Sequence, residues 1–352
     1  MGFILQTRWT RREPAHRRAL DAASDRRPGV STRACWRASA TADRATSSPP
    51  AAAPRNQQQQ AVAHLRQLLA RPQLLQMPCC FDALSARMIH RAGYPLTFMS
   101  GFGVAATLGL PDTGLVSYAE VQQRAREITE AIPPTLPVIG DGDTGYGNAM
   151  NVKRTVRGFA RAGLAGVLIE DQLNPKRCGH TRGKSVVDRD EALRRWAAAV
   201  DARATADDIV VVARTDAVAT HGLDEALWRM QQARRLGADV LFVEAPRTVD
   251  DLQRIADALG DMPLLANMIE NGMTPVLAPE QLQQLGYRIA AYPLTLLSAS
   301  LRAMRDALQV LRTGRPEEVS SLLLDFAETR DIVGFTEYDA DSERYRQMQA
   351  GE

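Results

Sequence analysis

Eight short apolar runs, several rich in β-branched residues, recur along this chain with helical patterns between them, and that alternation limits its fold more than any other feature. The runs fall at residues 74–77, 96–99, 137–139, 166–169, 209–212, 239–243, 263–266 and 288–291. Patterns with apolar residues three and four apart lie between them, as at 118–132, 152–162, 189–203, 223–236 and 249–259. Gly93, Gly163, Gly237, Gly260 and Gly286 come just before the next run, as a left-handed helix stop ahead of a buried parallel strand requires. Eight βα units with no break into two halves predict an α/β fold, a closed (β/α)8 TIM barrel rather than an open doubly wound sheet. The barrel is expected over residues 61–315, with a C-terminal helical extension at 316–352.

Composition sorts the function classes. With 45% hydrophobic and 24% charged residues the chain reads as a soluble globular protein, and no apolar run approaches the ~20 residues that span a bilayer. No membrane partner is expected. The formal net charge of +2 is uneven, because the first 55 residues are rich in Arg (Arg11, Arg12, Arg17, Arg18, Arg26, Arg27) and poor in acids. The remainder is slightly acidic, which gives no reason to expect a nucleic-acid partner. Residues 1–60 mix Arg, Ala, Ser and Pro, end in the Gln57 to Gln60 run and carry no apolar period. They are expected to form a disordered leader, with an organellar transit peptide as the functional alternative. Cys35, Cys79, Cys80 and Cys178 lack the spacing of a disulfide framework or a zinc knuckle, so a reducing, cytoplasmic setting is expected.

In a barrel of this kind the functional groups sit at the carboxyl ends of the strands. Polar residues collect there: Asp82, Ser100, Asp141, Asp143, Glu170, Asp171, Arg214, Asp216, Glu244, Asn267, Glu270 and Tyr292. Asp141 and Asp143, two apart on an extended segment, are expected to point to one side. With Glu170 they would make an oxygen-rich cluster suited to Mg²⁺ held partly through water; a solvated acidic loop is the plainer alternative. Cys178 and His180 have no further Cys or His nearby to complete a soft-metal site. Lying among Lys176, Arg177 and His180, Cys178 reads better as a thiol with thiolate character and a proton-transfer role, against the plain reading of a small buried hydrophobe. Arg214 ends an apolar strand and so calls for an anionic partner, a substrate carboxylate or one of the acids. Ser100-Gly-Phe-Gly103 offers a hydroxyl and free amides for a carboxylate, whereas Tyr118, Trp196 and Trp228 read as packing residues and His221 is left open.

These residues resemble the isocitrate lyase and phosphoenolpyruvate mutase superfamily over roughly residues 65–315. The resemblance rests on Ser100-Gly, Leu108-Gly-Leu-Pro-Asp112, Asp141-Gly-Asp-Thr-Gly-Tyr-Gly147, Glu170-Asp-Gln172, Lys176-Arg-Cys-Gly-His180, Ala213-Arg-Thr-Asp216, Glu244-Ala and Ala266-Asn-Met-Ile-Glu270. Within it the chain is most similar to the carboxyphosphonoenolpyruvate mutases and to the 2-alkylmalate lyase (petal death protein) group. The resemblance implies a Mg²⁺ enzyme, with Mn²⁺ as an alternative ion, acting on a small di- or oxo-carboxylate. It also implies a homotetramer in which the last barrel helix is exchanged between neighbours.

By the same resemblance, Asp141 and Asp143 would hold the metal, with Glu170 and Asp112 completing a water-mediated shell. Ser100, Gly101 and Phe102 would bind the α-carboxylate and oxygen, and Arg214, Glu244, Asn267, Gly179 and His180 would position the rest. Cys178 would be the acid/base, and with Arg214 and Asp112 it makes up the expected catalytic set. The Lys176 to His180 motif is a lyase feature, which disfavours simple phosphoenolpyruvate mutation. Methylisocitrate lyases carry an Arg shortly after the Tyr-Pro-Leu of the last strand, where this chain has Thr295, Leu296, Leu297 and Ser298 after Tyr292-Pro-Leu294. The resemblance therefore implies cleavage of a 2,3-dialkylmalate-type dicarboxylate. The alternatives are carboxyphosphonoenolpyruvate mutation, oxaloacetate decarboxylation and methylisocitrate cleavage.

Overall fold

The computed structural model describes residues 56–349, apart from 182 and 205–207. Eight parallel strands close into a ring: β1 (Leu75–Cys80), β2 (Thr97–Met99), β3 (Val138–Asp141), β4 (Gly166–Glu170), β5 (Val210–Thr215), β6 (Val240–Val243), β7 (Leu264–Asn267) and β8 (Ile289–Tyr292). Closure is made by β1 on β8, with Leu75 opposite Ile289 and Pro78 opposite Tyr292. The fold is the expected TIM barrel. Gly93, Gly163, Gly237 and Gly286 take the left-handed conformation (φ between +77° and +99°) expected of them. Gly260 does not, with φ −70°, because its helix ends on an ordinary turn.

Apart from Gln76, which is exposed, the strands are largely buried on both faces, and alternate residues supply two separate apolar layers. The inward rows, including Met77, Phe98, Ile139, Leu168, Val212, Phe242, Leu265 and Ala291, fill the barrel. The outward rows, such as Val167 and Ile169 on β4, Val211 and Ala213 on β5, pack under the surrounding helices together with Trp196 and Phe159.

The leader expectation falls, for residues 1–55, outside the described residues. For Gln57 to Gln60 it is corrected: they open a helix, Gln57–Ala70, started by a capping box between Asn56 and Gln59. The helix closes the amino end of the barrel, where Leu65 and Leu68 join the inner apolar layer. Gln58 Nε2 donates to the carbonyls of Leu164 and Asp208, at 3.2 and 2.7 Å. A glutamine run reads as low complexity, yet here Gln58 and Gln59 have specific side-chain roles.

After β8 the chain forms the helix Thr295–Leu311, then Pro316–Ser320, Phe326–Val333 and Phe335–Gln349. Of the helix Thr295–Leu311 only Leu297 is buried. Among the described residues no helix is long and apolar enough to cross a membrane.

Candidate active site

The inward rows of six strands end in a polar residue one step of the alternation beyond the apolar core. Phe98 is followed by Ser100, Ile139 by Asp141, Leu168 by Glu170, Val212 by Arg214, Phe242 by Glu244 and Leu265 by Asn267. The barrel geometry gathers these tips around one cavity of about 60 Å³. Asp112 and the loop residues Lys176 to His180 cover it, Phe102 enters from the β2 side, and Ile269, Pro293 and Leu294 form an apolar wall. Of the residues expected in the site, Gly101 and Asp143 do not line this cavity. A larger cavity of about 520 Å³ lies at the opposite, amino end beside Gln58 and Arg126, away from all six tips.

The acid cluster departs from expectation at Asp143. Strand β3 ends at Asp141, and Asp143 takes φ +48°, so the two carboxylates diverge instead of sharing one side of an extended segment. Asp143 lines an adjoining cavity with Tyr146, and Lys176 stands between the two spaces. Lys176 Nζ lies 2.7 Å from Asp143 Oδ1 and also pairs with Asp112. Burial alone would lower the Lys176 pKa, but Asp143, Asp141 and Asp112 hold it well above the usual lysine value. Asp141 accepts from the Asp143 amide at 3.1 Å and the Gly101 amide at 3.3 Å. A Cβ on Gly101 would come within 2.7 Å of Asp141 Oδ2 and push that carboxylate aside. Gly101 therefore serves Asp141, and the Gly103 amide serves Ser100 Oγ at 3.2 Å; neither is free for a substrate carboxylate.

Among the described residues, no group of three or more His, Cys, Asp or Glu side chains forms a ready metal cage. Lys176 and Arg214 reach into the cluster and divide the acids between them. The donor chemistry still fits a hard cation. Burial, then the Asp143 carboxylate, pushes Asp141 up to about 6. Burial also drives Glu170 well above the usual carboxylate value despite Arg214, and Glu170 Oε1 is buried with no hydrogen-bond partner. Carboxylates short of positive charge, on hard oxygen donors, suit an ion that keeps most of its shell as water.

Arg214 has the anionic partners its position demanded. Its guanidinium lies 3.3 Å from Glu170, 2.8 Å from Asp216 and 3.2 Å from Glu244. Asn267 donates to Glu244 at 2.9 Å, and His180 Nε2 stands 2.8 Å from the other Glu244 oxygen. The Met273 amide donates to His180 Nδ1 at 2.9 Å, which leaves the ring hydrogen on Nε2, toward Glu244. Although burial alone would raise it, Arg214 and then His180 hold Glu244 below its ordinary value.

The half-buried Cys178 thiol faces the cavity from this loop. Burial pushes its pKa up, so the expected thiolate character is corrected to a protonated thiol. The neighbouring cations that sequence adjacency suggested are directed elsewhere, Lys176 to the aspartates and His180 to Glu244.

Several polar strand-end residues have other roles. Asp82 caps the helix Ala83–Arg91, Glu270 accepts from Thr295 Oγ1 at 2.7 Å on the surface, and His221 is exposed beside Thr220. Trp196 packs as expected, fully buried with Nε1 donating to the Ile169 carbonyl at 3.0 Å. Two residues near the loop carried no assigned role. Gln172 brackets Arg177 through both main-chain groups, at 2.8 and 3.0 Å, a pairing its place just after Glu170-Asp171 hints at. Lys184 is buried against Asp216, and nothing in its spacing signals that.

The family model described as phosphoenolpyruvate phosphomutase matches residues 65–312. The chain belongs to the phosphoenolpyruvate mutase family. It is 39% identical over 274 residues to 2,3-dimethylmalate lyase of Eubacterium barkeri, with 77% of this chain and 93% of that protein covered. The chloroplastic carboxyvinyl-carboxyphosphonate phosphorylmutase of Arabidopsis thaliana is 39% identical over 277 residues, with 77% and 81% covered. Among solved structures, oxaloacetate acetylhydrolase in complex with the inhibitor 3,3-difluorooxalacetate matches with a TM-score of 0.77 and 34% identity, over 82% of this chain and 97% of that one. As a phosphoenolpyruvate mutase family member the chain is an enzyme of the superfamily that also contains the isocitrate lyases.

Proposed function

We propose that this enzyme is a Mg²⁺-dependent carbon–carbon lyase that splits a 2-hydroxy dicarboxylate of the 2,3-dialkylmalate type into an α-oxo acid and a carboxylate. The observation that carries the reading is the asymmetry of the cavity. One side holds Arg214, Asn267 and the acids, with the Cys178 thiol on the covering loop; the other is the apolar wall of Ile269, Pro293 and Leu294. An alkyl substituent suits that wall. A third carboxylate would be buried there without a cation, at a cost on the order of several kcal/mol.

Arg214 takes a substrate carboxylate, Ser100 offers its hydroxyl, and Phe102 closes the β2 side. Asp141 and Glu170 would hold Mg²⁺ directly, with Asp112 and Asp143, now paired with Lys176, reaching it through water, and the ion would supply Lewis-acid polarisation of the substrate oxygen. The hydroxyl proton passes to solvent, and cleavage of C2–C3 leaves the electron pair on C3 as an enediolate. The protonated Cys178 thiol donates to C3, so one proton leaves oxygen, one reaches carbon, and the thiolate is reprotonated for the next turnover.

The deciding test is an assay of purified enzyme with Mg²⁺ against 2,3-dimethylmalate, methylisocitrate, oxaloacetate and carboxyphosphonoenolpyruvate, following 2-oxo acid, oxalate and phosphonate products. Cleavage of the alkylmalate is expected to be fastest, and to stop with chelator and return with Mg²⁺. Faster turnover of oxaloacetate or of the phosphonate substrate would overturn the assignment.

The homotetramer is proposed on the same footing. Leu301, Met304, Leu308 and Leu311 form a stripe on the helix Thr295–Leu311 and are each more than half exposed in the single chain. Such a stripe suits burial against a second copy. Light scattering of the pure protein tests it.

A further inference from the structure

We propose that Lys184 is a positioning residue that fixes the Cys178 loop and the Arg214 guanidinium relative to each other through one shared carboxylate, Asp216. This inference rests on the role assigned to Cys178 above. Lys184 does not line the reaction cavity; it faces an outer hollow with Thr181, Arg247 and Met273. Its side chain is nevertheless 1% exposed, and that of Asp216 is 0%.

Burying a lysine is expensive unless its ammonium has good partners, so the partners indicate its purpose. The ammonium donates to the carbonyl of Gly179, the residue after Cys178, and to Asp216 Oδ1 at 2.8 Å. Asp216 in turn accepts from Arg214 at 2.8 Å (Nε) and 3.1 Å (Nη2), and its amide is anchored to Asp171 Oδ1 at 2.9 Å. A continuous set of bonds thus runs from the main chain beside the thiol to the carboxylate-binding arginine. The fit is close: a Cβ on Gly179 would lie 2.5 Å from Arg214 Nη2 and 2.6 Å from Glu244 Cδ. A loop whose backbone touches Arg214 moves the thiol and the guanidinium together, and Lys184 is the cation that keeps them in register. Without it the loop keeps its clasps at Lys176 and His180 but loses the one on the Gly179 carbonyl, next to the thiol.

The test is Lys184→Met, which keeps side-chain length and removes the charge. Iodoacetamide labelling read by mass spectrometry reports on the loop without any substrate, and the buried Cys79 and Cys80 report on the fold. Cys178 is expected to label at least about tenfold faster in the variant, with Cys79 and Cys80 still protected. With alkylmalate, kcat is expected to fall about 10- to 100-fold, with KM little changed, because a small misplacement of a reacting group carries that penalty. Lys184→Arg should recover part of both readings. Wild-type labelling of Cys178 in the folded variant, or a raised KM with unchanged kcat, would overturn the proposal. If Cys79 and Cys80 become reactive, Lys184→Gln replaces the Met variant; its shorter, uncharged side chain fills the space but does not hold Gly179 and Asp216 at once, so faster Cys178 labelling is still expected and its absence overturns the proposal. If the wild-type protein cleaves no alkylmalate, the functional reading fails on its own, while the labelling still decides the role of Lys184.

Discussion

Glu170 and Asp171 are chain neighbours and both buried, yet they lie on opposite sides of the barrel wall. Asp171 faces outward and has every oxygen engaged: Thr215 Oγ1 donates at 2.6 Å, the Asp216 amide at 2.9 Å and Arg229 Nη1 at 3.1 Å. Glu170 faces inward with Arg214 at 3.3 Å and one oxygen unpartnered. A carboxylate with a complete set of partners is part of the frame, whereas a buried one left incomplete is held for something the protein must still bind. The strand alternation that separates their side chains also separates their tasks.

Exchanging the two losses is the severest test of that contrast. Glu170→Gln is expected to lower kcat about 10²- to 10³-fold while leaving the denaturation midpoint unchanged or higher, since it replaces a buried carboxyl that has one oxygen without a partner. Asp171→Ala should instead cost about 3 kcal/mol of stability by leaving Arg229 short of a partner in the interior, with folded molecules losing far less kcat than Glu170→Gln. Kinetics and urea denaturation on both variants measure this, and the reverse pattern would end the distinction.

Cys178→Ser extends the contrast to the covering loop. A loss of about 10²-fold in kcat is expected, with much smaller change in binding of a competitive dicarboxylate. Because burial raises the thiol pKa, the acid form is present below that value and is lost as pH rises through it. The kcat profile should therefore have an alkaline limb that serine abolishes.

The outer network makes a milder prediction. Arg189 first, then Arg229, holds Glu225 down at about 2 from an ordinary 4.5. Its folded value is depressed, so its stabilising contribution is full above the unfolded value and fades as pH falls from about 4.5 toward about 2. Glu225→Gln should flatten the stability curve in that window and leave turnover alone.

The smallest effect concerns the amino terminus. Removing residues 1–55 should change neither stability nor activity. Cutting through residue 60 removes the Asn56 cap and the Gln58 bonds, and should cost about 1 kcal/mol or more, visible as a lower thermal midpoint.

The strands were legible because each carries its own apolar signal, and the six polar tips because they continue the inward alternation by two residues. Glu170 and Asp171 were distinguishable by the same parity. What adjacency in sequence misrepresents is electrostatics. Lys176 lies two residues from Cys178 but directs its charge to Asp112, 64 positions away. Asp143 reads as part of an extended segment, and the glycines beside it conceal the left-handed turn that swings it aside. The Lys184 to Asp216 pair spans 32 positions and two elements, so only the folded loop brings them together.

Ring closure also dictates the order of events during synthesis. The first strand pairs with the last, Leu75 with Ile289, and Gln58 waits for Leu164 and Asp208. Until about residue 292 has left the ribosome, the nascent sheet has two uncovered edges and its apolar lumen is open along one side. Completion of the catalytic mouth and sealing of the lumen are therefore a single late step, and a chain truncated before the eighth strand is a substrate for chaperones rather than a weaker enzyme.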